Sequence, residues 1–543
     1  MSAFGFRSAA ALVLGLSVIP ASITVAESEF EKYLREQQQE YQEFKDKRDK
    51  EFTSFLQSQW KELDVYRGVK RDPAPKPKVM PVAKPKPKPK PVVIKVPPRP
   101  VFIPDVKPEQ KPVIKVKPEP VITKRPEQRT PPVPVIKPQP VVKVVPPTPV
   151  IKPVVIIAPP VIPAKPVVKP VVVRVPKGRA AQVSFYGHSL KFYYDSKLKT
   201  RLKGRINEKA ISKFWADLSK ADYDALLVQL KKQRGPLQLN DWSYALLINE
   251  LAKNIYAGQK NEQSLLTWFL LIKTNYQARL AYSKNKVFLL LPTQQRLYGV
   301  SYFTFSGKRY YALGMDGNKA KPGRVFTYDG EYPGAKKSLD MAVSKSLNTR
   351  SSKRSRQVGF TYNNKRYNVM VGHDKNTINY LRTYPQMDID QYFKSHVNED
   401  IGNPVLKQLK RIISGKSEEE AVNIILLFVQ NAFKYKTDQG QFGEENYLFP
   451  EETLYYPYSD CEDRSVIFAW LVRSLIGLEV VGLDFPGHIA AAVKFNTSVT
   501  GDKVRHNGKT YVVTDPTYIN ASAGMTMPEY KRVKPKVVAF RAF

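Results

Sequence analysis

In Tyr458-Ser459-Asp460-Cys461-Glu462-Asp463-Arg464-Ser465 the single cysteine of a 543-residue chain stands among acidic residues at the head of an apolar-periodic run. His488 follows 27 residues later in Pro486-Gly487-His488, and Asp515 another 27 residues on in Thr514-Asp515-Pro516-Thr517-Tyr518. A thiol, an imidazole and a carboxylate are the parts of a nucleophile, a general base and an orienting group. The periodicity of Val466, Ala469, Trp470, Val472 and Leu475 predicts a helix over Cys461–Leu475. Cys461 then lies in its first turn, where the helix dipole favours a thiolate. Strands are predicted at Glu479–Leu483, Ile489–Phe495 and Tyr511–Thr514, with His488 at the start of one and Asp515 at the end of the next. Neighbouring antiparallel strands joined by a hairpin would bring the two together, with the helix laying Cys461 against them.

Upstream, Ser417-Glu418-Glu419-Glu420 opens a helix by its capping pattern, with Ala421, Ile424, Ile425, Phe428, Val429 and Phe433 on its apolar side. Ala210–Leu218, Tyr223–Gln233 and Trp242–Tyr256 also read as helices. Val287–Leu291, Tyr298–Phe305 and Lys308–Leu313 read as strands, Thr361–Tyr367 as a hairpin, and Ser351–Arg356 as a solvated basic loop. Sliding the C-terminal region back by 201 residues brings Ser465 onto Ser264 and Gly508-Lys509-Thr510-Tyr511 onto Gly307-Lys308-Arg309-Tyr310. The catalytic positions then fall on Lys260, Val287 and Gly314, none of which repeats the chemistry.

Asp-Cys-Glu-Asp-Arg-Ser before an apolar helix, Pro-Gly-His, and Tyr-Val-Val-Thr-Asp-Pro-Thr-Tyr together resemble the transglutaminase-like superfamily, over about Asn403–Pro528. The secreted bacterial cysteine proteinases of the LapG type are the branch they look most like. The resemblance implies a papain-like core with Cys461 as nucleophile, His488 as base and Asp515 as orienting acid. It implies an oxyanion hole containing the Cys461 backbone N–H, with Gln430, Asn431 or Tyr456 as candidates for a second donor. In some LapG-type members the acids flanking the cysteine bind calcium, and Asp460 and Glu462 hold those flanks here. Two carboxylates are too few for an ion that takes about 6–8 oxygens, which favours local bonds to backbone or Arg464 instead. Zinc is excluded by one cysteine and five scattered histidines without ligand spacing. The offset match predicts either an inactive second copy of this core over about Ile206–Asp316 or an ordinary α+β accessory domain.

Asp72–Pro176 carries 32 of the chain's 45 prolines among Lys, Val and Ile. Fixed φ and missing donors rule out helix and sheet, so an extended, disordered polyproline II spacer is predicted, about 300 Å in contour. Glu27–Tyr66 has the spacing of an amphipathic helix, with Phe30, Leu34, Tyr41, Phe44, Phe52, Phe55, Trp60 and Leu63 on one side. Beyond so long a spacer it is expected to lack neighbours and to pair with a partner or itself as a coiled coil, the alternative being a solvated helix that packs on its own domain. Arg7, the apolar Ala9–Ile19, and Thr24 and Ala26 before Glu27 have the form of a cleaved secretory signal. The net charge of +38, much of it in the spacer, suits anionic cell-wall polymer or membrane surface; a secreted protein seldom meets nucleic acid.

The expected organisation is α+β: 1–26 signal peptide, 27–68 helix, 69–178 linker, 179–395 accessory domain and 396–543 transglutaminase-like catalytic domain. The expected function is a periplasmic or secreted thiol enzyme acting on protein or peptide amide bonds through an acyl-enzyme. Peptidase action is favoured over transamidation or deamidation, and no cofactor other than calcium is considered. The competing reading is an envelope scaffold with a vestigial triad.

Overall fold

Helical spacing of apolar residues runs the length of Glu29–Ser58, and these residues form one helix, α1. In the computed structural model, which describes residues 29–67, 76–83, 178–315 and 320–541, this helix is not isolated. Phe52 and Leu56 are buried in the main hydrophobic core. Asp49 forms a buried ion pair with Lys273 and accepts a hydrogen bond from Tyr332 Oη at 2.9 Å. Burial holds the Lys273 ammonium down at about 8, against the pull of Asp49. The favoured expectation of a helix without neighbours is therefore corrected in favour of its alternative: the C-terminal half packs on the middle domain, while Tyr33, Leu34, Tyr41 and Phe44 stay exposed. The signal call at 1–26 and most of the 69–178 linker lie outside the described residues. Among the described residues no helix is long and apolar enough to cross a membrane.

After α1 the chain enters a sheet as β1 (Trp60–Leu63). Helix α2 (Glu208–Ser219), capped by Asn207 Oδ1 on the Ala210 N–H, packs against α1. Helix α3 (Asp241–Ile255) packs on α4 (Lys260–Lys273). Strands β2 (Arg279–Ser283), β3 (Lys286–Pro292), β4 (Tyr302–Phe305), β5 (Lys308–Ala312) and β6 (Val325–Tyr328) follow. They form an antiparallel sheet in the order β1-β6-β2-β3-β5-β4.

A long hairpin, β7 (Lys353–Tyr362) and β8 (Lys365–Asp374), leads to the C-terminal region. Asn363 and Asn364 both take positive φ in its two-residue turn, as a twist-compatible hairpin turn requires. The basic stretch expected to be a solvated loop is thus largely strand. Arg356 in it donates to the carbonyls of Leu454 (3.2 Å) and Tyr456 (2.6 Å).

Helices α5 (Glu399–Ile413), α6 (Glu418–Ala432) and α7 (Pro450–Tyr455) then pack on the β7–β8 hairpin, and α8 (Cys461–Ile476) packs on a second sheet. Its strands are β9 (Glu479–Phe485), β10 (His488–Lys494), β11 (Lys503–His506), β12 (Lys509–Thr514) and β13 (Lys536–Val538). Their order is β11-β12-β10-β9-β13, all antiparallel. Read from the other edge, β13-β9-β10-β12-β11 runs in the same sequence order as β6-β2-β3-β5-β4 of the first sheet. In both, a helix, α8 or α4, packs on the strand that follows the first hairpin. The described residues are mixed α and β.

Candidate active site

Pro486 and Gly487 turn β9 into β10, with Gly487 at φ 72°, so His488 opens β10 at the end of a tight hairpin. Asp515 is the first residue beyond β12, the neighbour of β10. These two strands are neighbours without sharing a hairpin; β12 is hairpinned to β11 instead, which corrects the expected connection. The His488 Nε2–Asp515 Oδ2 distance is 2.8 Å. The other carboxylate oxygen of Asp515 accepts the backbone N–H groups of Thr517 (2.9 Å) and Tyr518 (3.2 Å). With Nε2–H donating to the carboxylate, Nδ1 carries the lone pair, and this buried Nδ1 has no hydrogen-bond partner among the described residues.

Cys461 begins α8, and Ser465, one turn on, donates from Oγ to the Ile489 carbonyl at 3.0 Å. That bond ties the helix carrying the thiol to the strand carrying the imidazole. Cys461 Sγ donates to Glu462 Oε2 at 3.0 Å, and no Cys461–His488 hydrogen bond is formed. Burial, followed by the Glu462 carboxylate, pushes the thiol well above its ordinary value. Burial thus acts in the opposite direction to the helix dipole, which favours the thiolate. Exposure is 0% for Cys461, 1% for His488 and 2% for Asp515. Tyr530 covers His488, its ring stacked at 5.1 Å.

The three candidate oxyanion side chains are each hydrogen-bonded elsewhere. Gln430 braces the Asp515 loop, its Nε2 donating to the carbonyls of Asp515 (3.2 Å), Tyr518 (2.8 Å) and Ala521 (3.1 Å). Asn431 donates to Leu427 O on an exposed surface, and Tyr456 Oη accepts from Arg382. Arg464 does not pair with Asp460 or Glu462. It is buried and donates to the carbonyls of Gln430 (3.2 Å), Pro516 (3.4 Å) and Phe433. Burial lowers its guanidinium to about 10.

The acids beside Cys461 belong to a larger group that the sequence reading missed. Lys76, from within the proline-rich stretch, lies among them. Its Nζ is 3.0 Å from Asp460 Oδ2, 2.7 Å from Glu445 Oε1 and 3.5 Å from Asp438 Oδ2, and also pairs with Glu462. The expectation of an extended linker over 69–178 is corrected at residues 76–83, which pack on the C-terminal region. Burial works against Glu462, but the Lys76 ammonium overrides it and holds the carboxyl at about 2. Burial and the neighbouring carboxylates push Asp438 and Asp460 well up, and Asp463 and Glu445 to about 7.

Calcium, implied through Asp460 and Glu462, meets more oxygens than those two supply. Asp438, Asp460 and Asp463 have oxygens within 4.8 Å of one another, as do Asp438, Glu445 and Glu462. Such a donor set suits calcium by its chemistry. Lys76 lies among the same oxygens, however, so the arrangement does not fit a calcium ion beside it: two cations would share one set of carboxylates.

Behind this group, burial raises Glu452 of α7 to about 8 and Glu451 to about 7. Folding thus keeps protons that the unfolded chain, with carboxyls near 4.5, has already lost. A raised carboxyl contributes stability that is complete below the unfolded value and is lost as pH rises through the folded one. Urea unfolding is expected to show stability falling by a few kcal/mol between about pH 5 and pH 8. Glu452→Gln, which keeps an acceptor for the Phe449 N–H, should flatten that fall. An unchanged slope in the variant would exclude Glu452 as a source.

No family model and no curated protein matches the chain. Among solved structures it is similar to a "putative protease" of Parabacteroides distasonis ATCC 8503, at 10% identity over 47% of this chain and 43% of that one, with a TM-score of 0.17. So slight a likeness assigns neither a family nor an activity.

Proposed function

We propose that residues 396–543 are a transglutaminase-like catalytic domain acting on protein or peptide amide bonds through a Cys461 acyl-enzyme, with hydrolysis as the favoured outcome. The observation that carries this reading is the His488–Asp515 bond of 2.8 Å, which leaves a buried, basic Nδ1 beside the strand fastened to the cysteine helix. In the proposed cycle Nδ1 takes the Cys461 proton and the thiolate attacks the amide carbon. The C–N bond breaks, the amine leaves with the proton from Nδ1, and a thioester remains. Water then gives a proton to Nδ1 as its oxygen attacks, and the carboxylic acid departs as the thiol is restored; an amine in place of water would give transamidation. Asp515 holds the tautomer and stabilises the imidazolium.

The shared strand order of the two sheets supports reading the middle of the chain as a second, inactive copy of the core, with Lys260, Val287 and Gly314 at the catalytic positions. A periplasmic or secreted location, and an arm meeting anionic polymer, remain part of the proposal on sequence grounds.

The sealed thiol, bonded to Glu462 and not to His488, favours one competing reading, a scaffold with a vestigial triad. Iodoacetamide labelling of wild type and His488→Ala separates the two. Removing the imidazole also loosens the Tyr530 cover stacked on it, which favours faster labelling of the variant, so a faster wild type isolates the histidine as base. The wild type is expected to react on the order of 10²-fold faster near neutral pH. Equal rates would establish the vestigial reading.

A further inference from the structure

We propose that the acidic pocket beside Cys461 is the lysine subsite of a peptide-binding cleft, and that Lys76–Ala83 fills it in cis as a resident, substrate-like strap. The inference deepens the reading of this region as an amide-processing site and rests on it for the meaning of the cleft.

The strap is held as an extended peptide is held. Tyr435 Oη donates to the Pro77 carbonyl at 2.7 Å. Ile519 N–H donates to Pro81 O at 2.9 Å, and Ala83 N–H to Ile519 O at 2.8 Å, making a parallel bridge of Val82 with Ile519. Ile519 lies four residues beyond Asp515, so the bridge forms on the loop that carries the orienting acid. Ala83 is buried with Tyr518, Ala521 and Met527. Main-chain bonds of this kind give affinity without selectivity, and side-chain pockets supply the selection.

Lys76 supplies that selection. Its side chain is only 10% exposed, although it comes from a segment whose composition is that of a solvated spacer. Burying an ammonium costs several kcal/mol unless opposite charges and hydrogen bonds compensate it. Here Asp438, Glu445, Asp460 and Glu462 converge on Nζ. Asp460 Oδ1, fully buried, has no partner among the described residues, so the pocket has accepting capacity beyond what Lys76 uses. Pro75 and Pro77 flank the lysine and restrict the free peptide to conformations near the bound one, which lowers the entropy lost on binding. Glu462 connects the pocket to the chemistry, one oxygen on Lys76 and the other accepting from Cys461 Sγ. An incoming lysine-bearing peptide must displace the strap to reach that position.

The test uses the full-length chain carrying Cys461→Ala, which needs no reactive thiol, with and without Lys76→Ala and Ala83→Pro. The latter removes the N–H that donates to Ile519. A fluorescein-labelled peptide with the sequence of residues 73–83 is titrated in by anisotropy. It should bind the strap-released chain at least about tenfold more tightly than the strap-intact chain. The same peptide with Gln for Lys76 should bind at least about tenfold more weakly, as loss of a charge-assisted contact requires. Equal binding to released and intact chains, or equal binding of the two peptides, overturns the proposal. If circular dichroism shows the Lys76→Ala chain unfolded, Ala83→Pro without it keeps the ammonium and tests the same displacement. Because binding is read without the thiol, its failure leaves the His488 labelling ratio intact, and a flat labelling ratio leaves peptide binding intact.

Discussion

Phe52→Ala is expected to lower unfolding free energy by about 3–5 kcal/mol, the range for truncating a buried aromatic ring. Phe52 is where α1 enters the middle domain. Its ring meets Trp215 edge-on at 4.8 Å and Tyr332 at 5.3 Å, and lies within 6.3 Å of Phe55, Trp268 and Tyr328. Apart from Phe55 on α1 itself, these partners come from α2, α4 and β6 and its following loop, so the cavity left by alanine would open where several elements meet. One turn away, the Asp49–Lys273 pair depends on that packing for its seclusion from water. Loosening the helix would lose its geometry while leaving both charges partly desolvated. Urea unfolding should show a lowered midpoint at unchanged slope. Phe44→Ala, on the same helix but 54% exposed, should stay within about 0.5 kcal/mol of wild type. Equal effects of the two substitutions would contradict the packing of α1.

The sequence left this packing as the less favoured of two readings because amphipathic spacing reports that a helix has an apolar face, not what covers it. The intervening prolines separate α1 from α2 along the chain but place no limit on how their ends return to each other. Lys76 was hidden for a related reason. It looks like every other lysine in a repetitive Lys-Pro run, and only the fold gathers Asp438, Glu445, Asp460 and Glu462 around it. Signals confined to a few residues were legible: the Ser417 cap and the Asn363-Asn364 turn. The 201-residue offset was visible as a repeated Gly-Lys-x-Tyr hairpin entry, and the shared strand order lies behind it. Gln430 was legible as polar on an otherwise apolar helix face, yet its role was misjudged. A buried amide satisfies whichever backbone groups meet it, and these are the carbonyls of the Asp515 loop.

Asp515→Asn is the second substitution with a large expected effect, because no orientation of an amide satisfies its surroundings. The Thr517 and Tyr518 N–H groups point at one oxygen of Asp515 and His488 Nε2 at the other. If the asparagine keeps its oxygen toward the backbone, its NH₂ faces Nε2. The imidazole must then move its proton to Nδ1, the atom proposed to take the thiol proton. If the asparagine turns its oxygen to Nε2, its NH₂ faces two N–H donors, leaving buried groups unpaired at a cost of about 1–3 kcal/mol. The first orientation sacrifices the base and the second the loop, and Gln430, itself bonded to the Asp515 carbonyl, allows the loop little room to adapt. Labelling of Cys461 is therefore expected to slow on the order of 10²-fold or more relative to wild type near neutral pH. The direction should match His488→Ala, and the double substitution should add little to either, since both remove the same proton acceptor. An Asp515→Asn chain that labels within about twofold of wild type would show that the carboxylate does not set the tautomer of His488.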